Sequence, residues 1–260
     1  MNFAGKVVLI TGASSGIGAA CAVRFAMASA KLSIVGRNID NLKKVSEKCE
    51  TVSGLKPLSI SADITIYDEI QRIVTETIDY HGKIDVLVNN AGIALMAGIQ
   101  DGVEPLDRIM ETNIRGTYLL TQQVIPYIVF TRGNIVNVSS VLSTTPICTM
   151  MPYCMSKAAL DSFTKCLAQE LASKGVRVNA VNPGPVKTNF LTRAGLSNEQ
   201  SEALFASFAT NLPLKKVCER EDVAELIIFL ASDNASCITG SCYIMDCGVS
   251  LGDGGKKCEM

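Results

Sequence analysis

Two residues with an evident chemical use, Tyr153 and Lys157, stand four positions apart in the segment Tyr153-Cys154-Met155-Ser156-Lys157. Residues at this spacing lie on one face of a helix, so the ammonium can approach the phenol oxygen and favour its anion. A free tyrosine titrates near pH ~10, and a neighbouring cation lowers that pKa towards neutral pH. The pair predicts a proton-transfer site, although this spacing also arises by chance.

A second candidate is the glycine motif Thr11-Gly12-Ala13-Ser14-Ser15-Gly16-Ile17-Gly18. It directly follows the first apolar run and opens the first helical pattern. Its glycines allow a tight turn and let a phosphate approach backbone N–H groups at a helix N-terminus, where the helix dipole favours negative charge. An ordinary glycine-rich turn is the alternative, but the position between strand and helix favours dinucleotide binding.

The elements that must position these residues are short apolar runs alternating with longer helical patterns. The predicted strands are Val7 to Thr11, Leu32 to Val35, Leu58 to Ile60, Ile84 to Val88, Asn134 to Val138, Arg177 to Val181 and Cys242 to Met245. The predicted helices span about 16–29, 40–50, 67–80, 104–130, 152–173 and 221–231. Several strands are apolar on both faces, as in a parallel sheet covered by helices. The pattern predicts an α/β fold, a Rossmann-like, doubly wound parallel sheet of about seven strands with helices on both faces.

No linker or repeat divides the chain, so residues 1–260 are predicted to form a single domain. A long insertion at about 189–216 interrupts the alternation and carries an apolar helical pattern through Leu204, Phe205 and Phe208. Insertions of this size often serve as substrate loops or lids, and we expect that role here. A rigid surface helix is the alternative.

Composition argues against several classes of protein. Of the 260 residues, 48% are hydrophobic and 19% charged, with a net charge of −1, which favours a globular protein over a disordered chain or a nucleic-acid binder. We expect no membrane span and no secretory signal, because no apolar stretch is long enough. Ten cysteines without a Cys-x-x-Cys pair and one histidine predict no metal site. Reduced thiols and a cytoplasmic location are expected, and Cys258-Glu259-Met260 matches neither a prenylation box nor a peroxisomal tripeptide.

Further motifs appear in a fixed order around the first two. Ser140 ends Asn137-Val138-Ser139-Ser140, thirteen residues before Tyr153. The others are Asn89-Asn90-Ala91-Gly92, Asn113 in Thr112-Asn113-Ile114-Arg115-Gly116, and Asn182-Pro183-Gly184-Pro185-Val186-Lys187-Thr188. With this combination the sequence resembles the short-chain dehydrogenase/reductase family over nearly its whole length.

The resemblance implies a catalytic set of Asn113, Ser140, Tyr153 and Lys157. Tyr153 would be the general acid when a carbonyl is reduced and the general base in the reverse direction, while Ser140 would hydrogen-bond the substrate oxygen. Lys157 would lower the tyrosine pKa and bind the nicotinamide ribose, and Asn113 would hold a water that links Lys157 to solvent. The alternatives are that Ser140 only caps a turn and that Asn113 only bends its helix.

The resemblance also implies the cofactor contacts. Asp63 and the turn Asn90-Ala91-Gly92 are expected to form the adenine and ribose wall, and Val186 and Thr188 are expected to contact the carboxamide. The full expected set is Gly12, Ser14, Ser15, Gly16, Ile17, Gly18, Arg37, Asp63, Asn90, Ala91, Gly92, Tyr153, Lys157, Pro183, Gly184, Val186 and Thr188.

The end of the second strand predicts which cofactor is preferred. Folds that prefer NAD usually place an acidic side chain about 20 residues beyond the glycine turn, and Gly36 stands there. Arg37 beside it offers a planar fork of donors suited to a 2′-phosphate, so NADP(H) is predicted over NAD(H). The alternative is that Arg37 is only a solvated residue, since the turn lacks the basic residue that many NADP-preferring relatives carry before the middle glycine.

The substrate and the assembly follow with less detail. Leu95, Met96, Leu142, Ile147, Met150, Met151 and Phe190 suggest an apolar cleft and hence a lipophilic ketone, aldehyde or secondary alcohol, such as a steroid, isoprenoid, 3-oxoacyl or general carbonyl substrate. The alternatives are an NAD-dependent alcohol dehydrogenase of the same family and a catalytically idle nucleotide-binding scaffold.

The resemblance suggests a homotetramer or dimer built partly from helices 104–130 and 152–173, unless these helices are simply buried within one subunit.

Overall fold

The central sheet is built from short, strongly apolar strands. In the computed structural model, which describes residues 1–252, these strands are β1 (Val7–Ile10), β2 (Lys31–Gly36), β3 (Leu58–Ser61), β4 (Val86–Asn89), β5 (Asn134–Val138), β6 (Arg177–Pro183) and β9 (Cys242–Met245). All seven are parallel and lie in the order β3-β2-β1-β4-β5-β6-β9. The predicted Rossmann-like α/β fold is confirmed, and the tripeptide Cys258-Glu259-Met260 lies outside the described residues.

Helices cover both faces of the sheet. Helices α1 (Gly16–Met27), α2 (Ile39–Ser53) and α9 (Arg220–Ala231) pack on one face, and α3 (Tyr67–His81), α5 (Thr117–Thr131) and α6 (Met151–Leu171) pack on the other. Side chains alternate between the faces along each strand, so Val8 and Ile10 of β1 join the first apolar cluster and Leu9 joins the second. This two-sided burial explains why the strands read as continuous apolar runs.

The predicted helix over 104–130 is present with nearly those bounds, but it is not a uniform α-helix. The segment is divided into α4 (Glu104–Met110), a π-helical stretch (Glu111–Gly116) and α5. A π turn accommodates one extra residue without ending the helix, so the apolar pattern continues past it and hides the change. Gly116 is needed in this stretch, because a Cβ there would lie 2.4 Å from the Ile64 carbonyl oxygen.

The insertion at 189–216 has its own helical structure. It contains α7 (Phe190–Arg193) and α8 (Asn198–Asn211), which begins with a capping box formed by Ser197 and Gln200. Two strands absent from the sequence prediction, β7 (Val186–Lys187) and β8 (Cys218–Glu219), pair in parallel at the two ends of the insertion. Strands of two residues are too short to give an alternating pattern. We call residues 189–216 the lid segment.

A chain of buried amides crosses the core between two strands and a helix. The Asn89 side chain donates to Asn137 Oδ1 at 2.9 Å, and Asn137 donates to Thr164 Oγ1 at 2.8 Å. All three side chains are at most 4% exposed. Asn89 therefore links β4 to β5, and through Asn137 to α6, as a structural residue.

The strand order reverses beside β1, where β2 lies on one side and β4 on the other. In open α/β sheets this switch point opens a crevice at the carboxyl ends of the strands. The glycine motif follows β1 and Asn90 follows β4, so both border that crevice. Ser140 follows β5 one strand further along the same edge.

No helix within residues 1–252 has the length and apolar composition needed to cross a bilayer. Over the same part of the chain, no three His, Cys, Asp or Glu side chains are grouped so as to hold a metal ion. The cysteines of these residues are free thiols.

Candidate active site

One cleft of about 1330 Å³ at the carboxyl edge of the sheet collects most of the predicted site residues. Of the expected cofactor contacts, only Gly18 does not line it, and of the expected catalytic residues only Asn113 does not. The residues that do line it are Gly12, Ser14, Ser15, Gly16, Ile17, Arg37, Asp63, Asn90, Ala91, Gly92, Ser140, Tyr153, Lys157, Pro183, Gly184, Val186 and Thr188. Their individual roles stay predictions.

The glycine turn is held in shape by the loop that follows β4. Thr11 Oγ1 accepts hydrogen bonds from the backbone N–H groups of Asn90 and Ala91, both at 3.0 Å. In return, the Asn90 amide donates to the carbonyls of Thr11 and Gly12 at 2.9 and 3.2 Å. Gly12 has φ +64°, and a Cβ there would lie 2.7 Å from Asn90 Nδ2. Thr11 belongs to the sequence motif, but its hydrogen bonds to the loop after β4 are tertiary contacts that the motif does not predict.

Gly18 supports the same turn from beneath. A Cβ at this position would lie 2.4 Å from the Gly12 carbonyl oxygen and from Asn90 Nδ2. Glycine is therefore needed at position 18 because α1 approaches the turn closely there. The predicted contact between Gly18 and a cofactor has no surface in the cleft to support it, because the residue is buried under Gly12.

The first turn of α1 suits a phosphate. Ser15 is the N-cap residue, and its side chain makes no capping hydrogen bond, which leaves the first N–H groups of the helix available. The first turn holds no acidic side chain. Since Gly16 (φ +55°) carries no side chain that would cover these groups, the residues present fit the phosphates of a dinucleotide.

Arg37 has a defined partner at the end of β2. Its Nη1 lies 3.3 Å from Asp63 Oδ2, and Asp63 Oδ1 accepts hydrogen bonds from the Thr65 backbone and hydroxyl, each at 2.9 Å. Burial alone would raise the pKa of Asp63, but the Thr65 hydrogen bonds and the Arg37 charge together lower it below its usual range. The Arg37 side chain that pairs with this carboxylate is 69% exposed, and its role in binding a 2′-phosphate stays a prediction.

A side chain at position 36 would crowd the glycine turn. A Cβ on Gly36 would lie 3.0 Å from both Cβ and Oγ of Ser14. The space where many NAD-preferring folds place an acid is thus partly taken by Ser14.

Tyr153 lies in the first turn of α6 and is only 6% exposed. Its ring packs against Phe190 of the lid segment, with the ring centres 5.5 Å apart. Burial raises the pKa of Tyr153 above its usual range, and the Ser140 side chain opposes this shift without overcoming it. The expected lowering of this pKa by the Lys157 cation stays a prediction.

Lys157 follows one turn later on α6 and faces the same cleft. Its Nζ lies 5.6 Å from the centre of the Tyr153 ring and donates a hydrogen bond to the Val138 carbonyl at 2.8 Å. Burial lowers the pKa of Lys157 to about 8, although the Asp161 carboxylate acts to raise it. Asp161 was not identified from the sequence. It lies four residues further along the helix, accepts a hydrogen bond from Asn182 and is the acidic group that stabilises the Lys157 cation.

Asn113 lies in the π-helical stretch and is 1% exposed. Its side chain accepts a hydrogen bond from the Ile93 N–H at 2.8 Å, and donates to the Ile93 carbonyl at 2.9 Å and to Ser156 Oγ at 3.0 Å. These bonds join the loop after β4 to α6. These contacts hold the Asn113 side chain in place, and its expected role in holding a water that links Lys157 to solvent stays a prediction.

Ser140 lies two residues beyond the end of β5 and lines the cleft with the tyrosine. Its Oγ accepts a hydrogen bond from the Leu142 N–H at 3.1 Å, so the side chain does cap a turn. The hydroxyl proton remains available for a substrate oxygen, because accepting that bond does not use it. Ser140 can therefore cap the turn and bind a substrate oxygen at the same time, so the two hypotheses are compatible.

The part of the cleft around Tyr153 is apolar, because Leu95, Leu142, Met150 and Phe190 pack in one cluster with the tyrosine. Leu95, Met96, Leu142, Ile147, Met150 and Phe190 line the cleft as predicted, and the lid segment adds Leu191, Leu196, Leu204, Phe205 and Phe208. Met151 instead lines a separate cavity of about 390 Å³ behind the loop at 142–148, so its expected place in this cleft is wrong. Met150 is the N-cap residue of α6 and Met151 is its first helical residue, and the change of backbone direction between them separates the two side chains.

Comparison with known proteins places the chain in a family. A family model described as Enoyl-(Acyl carrier protein) reductase matches residues 12–250. The glucose 1-dehydrogenase of Gluconobacter oxydans is 36% identical over 253 residues, covering 96% of this chain and 94% of that protein. A 3-oxoacyl-(acyl-carrier-protein) reductase of Thermotoga maritima is also 36% identical, over 255 residues, covering 96% of this chain and all of that protein (100%).

Solved structures agree in fold and differ in bound cofactor. A short-chain dehydrogenase/reductase of unknown function from Caenorhabditis elegans, with cofactor, has a TM-score of 0.93 and 35% identity and covers 97% of each chain. The L-sorbose reductase of Gluconobacter frateurii, complexed with NADPH and L-sorbose, has a TM-score of 0.88 and 29% identity, covering 95% of this chain and 97% of its own. A 3-ketoacyl-(acyl-carrier-protein) reductase of Brucella melitensis, complexed with NADH, has a TM-score of 0.85 and 35% identity, covering 95% and 99%. With the motifs gathered in one cleft and these relatives matching nearly end to end, the chain belongs to the short-chain dehydrogenase/reductase family of oxidoreductases.

Proposed function

We propose that this oxidoreductase uses NADP(H) to interconvert a lipophilic ketone or aldehyde and the corresponding alcohol. The observation that carries the proposal is the arrangement of the cleft. A tyrosine, a serine and a lysine line it together, apolar side chains of the lid segment line it beside them, and Arg37 lines it after β2. A nicotinamide cofactor would supply the hydride.

The chain's own residues would supply the proton and the orientation. Tyr153 is buried with a raised pKa, so its phenol stays protonated at neutral pH and can donate a proton to the carbonyl oxygen. Ser140 would donate a hydrogen bond to the same oxygen and hold it within reach. Lys157, when charged, would stabilise the phenolate that forms as the proton leaves.

The preference for NADP(H) is supported by charge. Arg37 presents a largely exposed guanidinium that Asp63 orients, and no acidic side chain stands at position 36. An arginine fork binds phosphate well, whereas an acid at that place would repel it. The solved relatives include complexes with NADPH and with NADH, so the proposal rests on this chain's own residues.

The preference for a lipophilic substrate is supported by the lid segment. Leu204, Phe205 and Phe208 face the cleft from α8, and Phe190 packs directly on Tyr153. A sugar would leave its hydroxyl groups without partners against these side chains, at a cost of about 1–3 kcal/mol for each unpaired group. We propose that the lid segment closes over the substrate.

The test is a screen of purified protein with NADPH and with NADH. Carbonyl substrates would comprise lipophilic ketones, acyl thioesters and aldehydes, with ketoses as the polar contrast and diketones and quinones as reactive probes. We expect NADPH to be oxidised, with lipophilic carbonyls preferred over ketoses at least tenfold in kcat/KM. A preference for ketoses would overturn the substrate class, and a preference for NADH the cofactor. Folded protein that binds cofactor but turns over no probe would favour the idle scaffold.

We further propose a homotetramer, or a dimer, built on the outer faces of α5 and α6. Tyr118 and Phe130 on α5 are 50% and 84% exposed, and Met155 on α6 is 50% exposed. Apolar side chains exposed on two neighbouring helices are typical of an interface. Light scattering at micromolar concentration tests this, and a monomer would contradict it.

The free thiols support a reducing compartment such as the cytoplasm, which cell fractionation tests.

A further inference from the structure

An arginine of the lid segment contacts the glycine turn, although 178 residues separate the two in the chain. Nη2 of Arg193, the last residue of α7, donates a hydrogen bond to the Ser15 hydroxyl at 3.1 Å. Its Nε donates another to the Asn189 carbonyl at 3.2 Å. A guanidinium carries five N–H donors, so further donors remain for a ligand.

Arg193 brings a positive charge to a turn that has none of its own. The motif from Thr11 to Gly18 contains no charged side chain. Arg193 and Arg37 both line the cleft, on the lid segment and after β2 respectively. Burial lowers the pKa of Arg193, and the nearby charge of Arg37 lowers it further.

The two arginines differ in their acidic partners. Arg37 pairs with Asp63 at 3.3 Å, whereas no Asp or Glu within residues 1–252 forms an ion pair with Arg193. Two guanidinium groups that repel each other are stabilised when an anion binds between them. The part of the cleft that Arg37 and Arg193 line is therefore suited to a small, doubly charged anion.

We propose that Arg193 is a second phosphate-binding residue, and that the 2′-phosphate of NADP(H) bridges it to Arg37. The inference rests on the proposed function, since it takes the NADP(H) preference as given. A phosphate has acceptor oxygens in several directions and accepts hydrogen bonds from two planar forks at once. Because Arg193 belongs to the lid segment, the same phosphate holds that segment against the glycine turn. Cofactor choice and lid closure are thereby coupled through one anion.

The pyrophosphate of the cofactor is the other source of the same chemistry, so the test separates the two. Calorimetry would measure the binding of adenosine 2′,5′-bisphosphate and of adenosine 5′-monophosphate, which lack the nicotinamide and require no turnover. The variants are Arg193→Ala, Arg193→Lys and Arg37→Ala. The matched control is Arg220→Ala, which removes an arginine that pairs with Glu221 outside the cleft.

For Arg193→Ala we expect the bisphosphate to bind about tenfold more weakly and the monophosphate to change by less than about twofold. Arg193→Lys should fall between, because it keeps the charge but loses the fork. Arg220→Ala should behave as wild type. Equal weakening of both ligands by Arg193→Ala would assign it to a phosphate they share and overturn the 2′-phosphate contact, and no weakening would overturn the proposal altogether.

The outcome for the wild type keeps this inference apart from the proposed function. If the wild type does not prefer the bisphosphate, the NADP(H) assignment itself fails. If it prefers the bisphosphate and only Arg37→Ala removes that preference, the assignment stands and Arg193 alone is misassigned.

Hydrogen exchange tests the coupling to the lid segment. Adding adenosine 2′,5′-bisphosphate should slow exchange of the backbone amides at 189–196 in the wild type and in Arg220→Ala, but not in Arg193→Ala. Equal protection in all three would contradict the coupling, because the lid segment would then close without the arginine.

Discussion

Replacing Tyr153 by phenylalanine removes one hydroxyl group from the centre of the cleft. The ring can keep its place, because it is 6% exposed and packs against Phe190 with the ring centres 5.5 Å apart. The hydroxyl makes little net contribution to folding, about 1 kcal/mol or less, because a hydroxyl can exchange hydrogen bonds to protein for hydrogen bonds to water. We therefore expect Tyr153→Phe to fold and to bind adenosine 2′,5′-bisphosphate as the wild type does.

Turnover should respond very differently. The buried phenol keeps its proton at neutral pH, and it is the proposed proton donor beside Ser140. Loss of a positioned general acid lowers rates by about 10² to 10⁴, which corresponds to about 3–5 kcal/mol of transition-state stabilisation. We expect kcat/KM for carbonyl reduction to fall within that range.

The assay is single-turnover oxidation of NADPH, followed by absorbance, with the best carbonyl substrate from the screen. Tyr80→Phe is the matched control, because Tyr80 is 61% exposed on α3 and its ring packs on His81 away from the cleft. The control should retain wild-type rates. If Tyr153→Phe reacts within tenfold of the wild type while remaining folded, Tyr153 is not the proton donor and the mechanism is wrong.

Three further predictions concern other parts of the site. Since the pKa of Lys157 is about 8 and its cation stabilises the phenolate, kcat/KM for reduction should hold below that pH and fall above it, and Lys157→Met should lose this inflection in a pH-rate profile. Arg37→Ala should weaken NADPH binding by about ten- to a hundredfold in fluorescence titrations and leave NADH nearly unchanged, because only the former carries the 2′-phosphate. Gly18→Ala should lower the free energy of unfolding in urea by about 1–3 kcal/mol, since its Cβ would lie 2.4 Å from the Gly12 carbonyl oxygen. Gly98→Ala is its control, because the Cβ there would lie 3.4 Å from its nearest neighbour, and equal stability of the two variants would contradict the packing argument.

The sequence was most informative where local chemistry and hydrophobic pattern coincide. The strands of the central sheet are apolar on both faces, and each expected strand is present within two residues at either end. The glycine motif, Arg37 and Tyr153 each follow or begin an element whose direction is fixed by the fold. Their convergence on one sheet edge therefore follows from the order of elements alone.

Features that depend on tertiary contact were not predictable. The π turn at 111–116 preserves the apolar pattern on either side, so no periodicity distinguishes it from an α-helix. The contact of Arg193 with Ser15 joins residues far apart in sequence, and neither residue type requires the other. The raised pKa of Tyr153 depends on how deeply it is buried, which the Tyr-x-x-x-Lys spacing does not specify.

The buried amide pair Asn89 and Asn137 has a consequence for the accuracy of the site. Strands that are apolar on both faces carry no alternating pattern, so little in β4 and β5 distinguishes the correct register from one shifted by a residue. Asn89 stands opposite Asn137 in the observed register, and a shift by one would place it opposite Val136 or Val138. Each amide left unpaired in the core would cost about 1–3 kcal/mol.

This free-energy penalty fixes the register of β4 against β5 and hence the distance between the residues that follow the two strands. Asn90 directly follows β4, and Ser140 lies two residues beyond β5, so a shift of one residue would move Asn90, the predicted cofactor contact, by about 3.3 Å relative to Ser140, the predicted substrate ligand. A displacement of this size would prevent catalysis, because a misplacement of reacting groups by about 1 Å already lowers the rate strongly. The amide pair thus sets, from within the sheet, the spacing at which cofactor and substrate would meet.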